Sequence, residues 1–220
     1  MLQNILNAFD QAKACEARLK EGLSALPIKA TPWQIEALIA YIALLIKWNQ
    51  KINLTSVRSP LEMVRRHLLD SVVVLPYLRG ERILDVGSGA GIPGIPLAIL
   101  QEQKAFYLLD SNQKKQVFVS QVVKSLSLKR VVCVHSLVQT YQPEQKFSTI
   151  LTRAFAKPLQ MIELTQHLLE DKGVFLAMMG KIEEEKLLLP SDYEIEQIIP
   201  LCVPGETAQR HLTVIKKSNR

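Results

Sequence analysis

The sequence predicts an α/β fold, an open and mostly parallel sheet with helices on both faces. Three observations lead there. From about residue 80, short apolar runs alternate with longer amphipathic ones, the pattern of strand–helix crossovers. One of those runs, Ile83-Leu84-Asp85-Val86, passes directly into Gly87-Ser88-Gly89-Ala90-Gly91, a glycine-rich bend at a strand end. The chain closes with YEIEQIIPLCV (193–203) and RHLTVIKK (210–217), two strand candidates without a helix between them. They read as an antiparallel pair added to the sheet edge, for seven strands in all.

Before residue 80 the pattern is helical. Residues 2–20 predict a first helix. Thr31-Pro32-Trp33-Gln34 is a capping box with proline at the first helical position, followed by Ile35, Leu38, Ile39, Ile42, Leu45 and Ile46 at helical spacing. The same signature recurs at Ser59-Pro60-Leu61-Glu62, ahead of Val64, Leu68, Val72 and Leu75. Between these helices lies WNQKINLTSVRS (48–59), polar and irregular. After residue 80, ILDV, AFYLLD (105–110), VVCVH (131–135), FSTILT (147–152) and GVFLAM (173–178) predict strands. Lys114–Leu126 and Pro158–Glu170 predict intervening helices. Residues 1–79 are therefore expected as a helical segment packed on a sheet domain of residues 80–220, in a single globular unit.

Composition sets limits. The 220 residues suffice for a substantial core, and 48% hydrophobic with 22% charged residues is ordinary for a water-soluble globular chain. The most apolar run, IEALIAYIALLIKW (35–48), is too short and interrupted to cross a bilayer. No secretion signal is read in MLQNILNAFDQAK. Cys15, Cys133 and Cys202 are odd in number and lack CxxC spacing, which points to free thiols in the cytoplasm rather than a disulfide frame or zinc site. The net charge of +6 permits a polyanionic partner.

The glycines carry the chemistry. In an open parallel sheet, ligands bind beyond the carboxyl ends of the strands, where the strand order reverses. Glycines there let the backbone approach a ligand closely, and the following helix N-terminus offers free N–H groups to an anion or carboxylate. Pro93 and Pro96 place that helix start close to the loop. Two patterns overlap. Gly89-x-Gly91-x-x-Gly94, with Asp110 further on, matches a dinucleotide fingerprint and leaves an NAD-dependent oxidoreductase open. Asp85-x-Gly87-x-Gly89-x-Gly91, with Asp110 closing the second strand, looks like the cofactor loop of class I methyltransferases that use S-adenosyl-L-methionine. Asp85 favours the second, since a negative charge there would repel a pyrophosphate but not a sulfonium or an amino group.

The segments LDVGSGAGIPGIPLA, WNQKINLT, HLLDS and TRAFA, in this order, closely resemble the 16S rRNA guanine-N7 methyltransferases, the family also called glucose-inhibited division protein B. The resemblance implies a Rossmann-like class I methyltransferase. Its members methylate guanine-527 (small-subunit rRNA numbering), so 16S rRNA or the small ribosomal subunit is the implied partner and S-adenosyl-L-methionine the implied cofactor. A metal and a membrane are not expected, and a monomer is. The resemblance places cofactor contacts at Asp85, Gly87, Ser88, Gly89, Gly91 and Ile92 on the loop, where many relatives have a larger residue at position 92. It continues with Asp110 and Ser111, often glutamate in relatives, and with Val138 and Gln139, where many relatives carry Arg-x-Glu. It makes Arg153, within TRAFA, the active-site arginine. A methyltransferase of the same fold with another substrate, and a non-catalytic RNA-binding module, are the remaining alternatives.

Guanine N7 carries a lone pair and no proton, so its methylation needs positioning rather than a general base. Arg153 could grip the guanine edge or a flanking phosphate, or serve as a structural ion pair. His67 and Asp70, three apart, either border the substrate cleft or make a helix-surface hydrogen bond. Asn53 and Thr55 either order the loop over the cofactor or simply form a turn. Lys114 and Lys115 occupy the first turn of a helix, where cations are unfavourable. They are solvated surface charges or phosphate contacts, with Arg65, Arg66 and Lys181 as further RNA candidates.

Overall fold

The computed structural model describes residues 2–153, 157–180 and 188–218. Seven strands form one sheet: β1 (Arg82–Val86), β2 (Ala105–Asp110), β3 (Val131–His135), β4 (Phe147–Arg153), β5 (Leu169–Met179), β6 (Tyr193–Pro200) and β7 (His211–Lys217). Their order is β3-β2-β1-β4-β5-β7-β6. The first five run parallel, and β7 pairs antiparallel with both β5 and β6. This is the predicted mostly parallel sheet with its reversed final pair.

Side chains alternate across the sheet because successive strand residues point to opposite faces. Ile83, Phe106, Leu108, Leu151, Val174 and Leu176 face one core, which the N-terminal helices share. Those helices are α1 (Leu2–Asn7), α2 (Ala12–Ser24), α3 (Pro32–Asn49), α4 (Pro60–Met63) and α5 (Asp70–Val72), joined on the same face by α6 (Gly94–Leu100) and α7 (Gln113–Ser125). Leu38, Ile42 and Leu45 of α3 are fully buried there, each contributing roughly 1.5–3 kcal/mol. Leu84, Val86, Leu109, Ile150 and Phe175 face the opposite core, against Met161 and Ile162 of α8 (Pro158–Thr165). On that side Arg82 lies over the rings of Tyr107 and Phe147, 4.6 and 5.3 Å from their centroids.

Four local expectations change. The helix over residues 2–20 is two helices, because the chain turns through Phe9 and Ala12 and lets α1 pack on α3. Thr31 forms the capping box, with Gln34 N–H donating to Thr31 Oγ1 and Thr31 N–H to Gln34 Oε1. Ser59 makes no such cap; Glu62, its would-be partner, accepts instead from Arg65 Nη2 at 3.0 Å. The helix begun at Pro60 widens into a π-helical turn over Val64–Leu69. The helix from Pro158 stops at Thr165, and Glu170 already belongs to β5, since Leu168 and Leu169 enter the core as the strand starts.

No described helix is long and apolar enough to cross a membrane. The three cysteines are free thiols.

Candidate active site

β1 lies between β2 and β4, so the strand order reverses at β1 and a crevice opens beyond its carboxyl end. The glycine loop forms that end. Gly87, Gly89 and Gly91 have φ of +69°, +57° and +81°, conformations that side chains other than glycine rarely adopt. Gly91 has a second constraint, since a Cβ there would meet Ile95 Cγ1 at 2.5 Å. At Gly89 a Cβ would make only ordinary contacts, with Gly87 O at 3.9 Å and Lys115 Nζ at 4.0 Å. The loop is held by its backbone: Gly87 and Ser88 N–H donate to Leu109 O, and Gly91 and Ile92 N–H to Ser88 O.

Two carboxylates organise this bend. Asp110 Oδ2 accepts from Gly89 N–H and its Oδ1 from Asn112 N–H, each at 2.8 Å, which leaves lone pairs on both oxygens. Asp85 is buried, with Oδ2 accepting from Gly94 N–H at 2.9 Å and Oδ1 without a hydrogen-bond partner. The start of α6, expected to be open to a ligand anion, is thus occupied by the protein's own carboxyl. Burial pushes Asp85 up to about 7; the Gly94 N–H opposes this, Asp110 adds to it, and Arg153 opposes it. The negative charge read at this position from the sequence is therefore only partial near neutral pH.

A cleft of about 450 Å³ runs from the loop across β2 and β3. Gly87, Asp110, Ser111, Val138 and Gln139 line it, together with Leu137, Gln160 and Leu164. Ser88 is buried behind the loop and Ile92 packs toward the N-terminal helices, so neither lines this cleft. Gln160 and Leu164, from α8, had no signal in the sequence.

Beneath the loop sits a polar cluster supplied by the N-terminal segment. Tyr41, fully buried in α3, donates to Ala90 O at 2.9 Å. His67 Nε2 lies 2.8 Å from Thr55 Oγ1, and its Nδ1 has no partner. Burial, aided by the Arg153 charge, lowers His67 to about 4, so the ring is neutral at pH 7. Asp70 faces Arg153, with Oδ2 3.4 Å from Nη1, and Arg210, with Oδ1 3.1 Å from Nε. His67 and Asp70 therefore do not bond to one another, and neither lines the cleft; each is tied to a different partner. Arg153 ends β4 one residue beyond Thr152, the partner of Val86, and so stands level with the start of the glycine loop.

The loop after α3 is ordered by Asn49 rather than Asn53. Asn49 Oδ1 accepts from Leu54 and Thr55 N–H and its Nδ2 donates to Thr55 O, while Asn53 is exposed. Asn49 stands in the recognised WNQKINLT segment, which was the available signal.

The basic candidates separate. Arg65 is drawn inward, donating to Gly205 O and pairing with Glu62 and Glu206. Arg66 and Lys114 are exposed, and Lys115 is half-buried beside Gly89. Lys181, and Ala154-Phe155-Ala156 of TRAFA, lie outside the described residues. Among the described residues no group of three or more His, Cys, Asp or Glu is placed to hold a metal ion.

Comparison with known proteins supplies the family. The family described as rRNA small subunit methyltransferase G matches residues 34–213. The chain belongs to this family. Among members, the ribosomal RNA small subunit methyltransferase G of Vibrio campbellii is 45% identical over 206 residues, covering 93% of this chain and 98% of that one. That of Chromobacterium violaceum is 48% identical over 198 residues, covering 89% and 95%. Among solved structures, a SAM-dependent methyltransferase from Aquifex aeolicus superposes with a TM-score of 0.54 at 18% identity, over 69% of this chain and 92% of that one, which establishes the shared fold.

Proposed function

We propose that this family member transfers a methyl group from S-adenosyl-L-methionine to N7 of guanine-527 of 16S rRNA. The observation that carries the reading is the glycine loop with Asp110 at the switch point, within a chain matching the rRNA methyltransferase G family over residues 34–213.

The residues present suit the cofactor. Gly89 leaves space where a side chain would stand, and Asp110 retains lone pairs for two ribose hydroxyls. Val138, Leu137 and Leu164 offer apolar surface to an adenine, with Gln139 and Gln160 as its polar contacts. The unpartnered Asp85 Oδ1 offers an acceptor to a cationic group. Bound S-adenosyl-L-methionine supplies an electrophilic methyl group.

The protein's own part is to align the base and exclude water, since N7 has no proton to lose. Arg153, beside the loop, orients the guanine edge or its flanking phosphate. Neutral His67 and buried Tyr41 act as scaffold. Arg66, Lys114 and Lys115 meet phosphates around the cleft. Residues 1–79 and 80–220 act as one unit, a monomer in the cytoplasm, where ribosomal subunits are found. Family membership gives no support to the nicotinamide alternative.

The test is methylation of small subunits and of stripped 16S rRNA, both from a strain lacking this modification, with nucleoside mass spectrometry. 7-Methylguanosine at position 527 supports the reading; methylation elsewhere, or of neither substrate, overturns it.

A further inference from the structure

The cluster beneath the loop contains a feature that guanine alignment does not require. Asp70 is buried, yet it faces two arginines from distant parts of the chain. A single structural ion pair would use one. Arg153 comes from the end of β4 and Arg210 from the residue before β7. The sheet brings them together: Arg153 is level with Met178 of β5, and Met178 with Leu212 of β7. Both arginine side chains are 25% exposed, whereas that of Asp70 is 4% exposed.

Two guanidinium groups side by side repel unless a carboxylate lies between them. Asp70 does this with one oxygen for each. The trio of Asp70, Arg153 and Arg210 then carries one positive charge in excess, partly open to solvent at the crevice. Guanidinium groups are the side chains best shaped for phosphate, because their planar N–H pairs match its oxygens. Asp70 reaches this position at the end of a π-helical turn over Val64–Leu69, a wide turn of a kind frequently found at functional sites.

We infer that Asp70 is a positioning residue whose single carboxylate holds Arg153 and Arg210 together as one receptor for the phosphate beside the target base. This rests on the reading of the crevice as the rRNA site. Asp70 does not touch the RNA. It acts through both arginines, so its removal loosens the pair at once.

The experiment uses the full chain with stripped 16S rRNA and small subunits, and follows methyl transfer, RNA binding against salt, and S-adenosylhomocysteine binding by calorimetry. Asp70→Asn should lower kcat/KM for RNA by at least about tenfold. S-adenosylhomocysteine affinity should stay within about twofold of wild type, and Asp70→Glu should recover part of the loss. Arg210→Gln should reduce the salt slope of RNA binding by about one. Because Asp70 acts through Arg210, Asp70→Asn combined with Arg210→Gln should fall short of the product of the two single losses by more than about twofold. Wild-type turnover in Asp70→Asn, losses that multiply, or a parallel loss of S-adenosylhomocysteine affinity would each overturn the inference. If Asp70→Asn does not fold, Arg210→Gln decides alone, and an unchanged salt slope refutes the receptor. A wild-type protein inactive on both RNA substrates would instead refute the functional reading, and the receptor with it.

Discussion

The hydroxyl of Tyr41, in the third helix of the chain, donates a 2.9 Å hydrogen bond to the carbonyl of Ala90 at the centre of the glycine loop. A side chain 49 residues upstream thus sets the position of the backbone that forms the crevice. Tyr41→Phe removes only the donor and leaves a buried carbonyl unsatisfied, at a cost of about 1–3 kcal/mol. The expected outcome is a lower urea midpoint together with weaker S-adenosylhomocysteine binding by calorimetry. Unchanged affinity would show that the loop holds its shape without this tether.

Arg153→Ala should abolish methyl transfer to rRNA, because the base or its phosphate loses its grip. S-adenosylhomocysteine binding should remain detectable, since Asp110 and the glycine loop are untouched. Calorimetry and a methyl-transfer assay on one preparation check both halves. Full activity in the variant would remove Arg153 from the reaction.

Two buried groups give opposite pH dependences. His67 is lowered from 6.5 to about 4, so its contribution to stability is full above pH 6.5 and is lost as pH falls through about 4. Asp85 is raised from 3.8 to about 7, so its contribution is full below pH 3.8 and is lost as pH rises through about 7. Between about pH 4 and 6.5 the two slopes oppose each other. Relative to wild type, the stability of Asp85→Asn should therefore rise with pH across this window and that of His67→Asn should fall, each by no more than about 3 kcal/mol. Urea titrations at several pH values measure both, and parallel curves for all three proteins would contradict the assignment.

Asn49 and Asn53 lie four residues apart in WNQKINLT but do different work. Asn49→Ala deletes three hydrogen bonds that fold the loop over residues 50–55, and should cost about 2–4 kcal/mol. Asn53→Ala, at an exposed position, should change stability by less than about 0.5 kcal/mol. Thermal denaturation of the two variants separates them, and equal losses would contradict the hydrogen-bond pattern.

The strands and the glycine loop were legible because they are local. A short apolar run such as Ala105–Asp110 marks a buried strand, and a cluster of glycines after Val86 marks a sharp bend at a strand end; both occur where the sequence places them. Helix endings were less legible, since tertiary packing decided them: Leu168 and Leu169 entered the core and ended a helix whose pattern ran on. The π-helical turn at Val64–Leu69 has no periodic signature distinct from an ordinary helix. Within the candidate site, Asp85, Gly87 and Asp110 fall together because they close neighbouring strands. Arg210, 140 residues from Asp70, left no local trace of that contact, and neither did the long reach of Tyr41. Arg65 reads in the sequence as an RNA candidate because its ties to Gly205 and Glu206 are likewise non-local.

The shared core has a consequence for how this chain can vary. Leu38, Ile42 and Leu68 fill the same interior as Ile83, Phe106 and Leu151, so the segment ahead of β1 is structural wall rather than attachment. It cannot be exchanged as a cassette, because any graft would have to rebuild half of the hydrophobic interior along with the tyrosine that anchors the loop. Changes in what the crevice accepts are therefore easiest at its rim, where an exposed residue such as Leu137 can be replaced without disturbing the core.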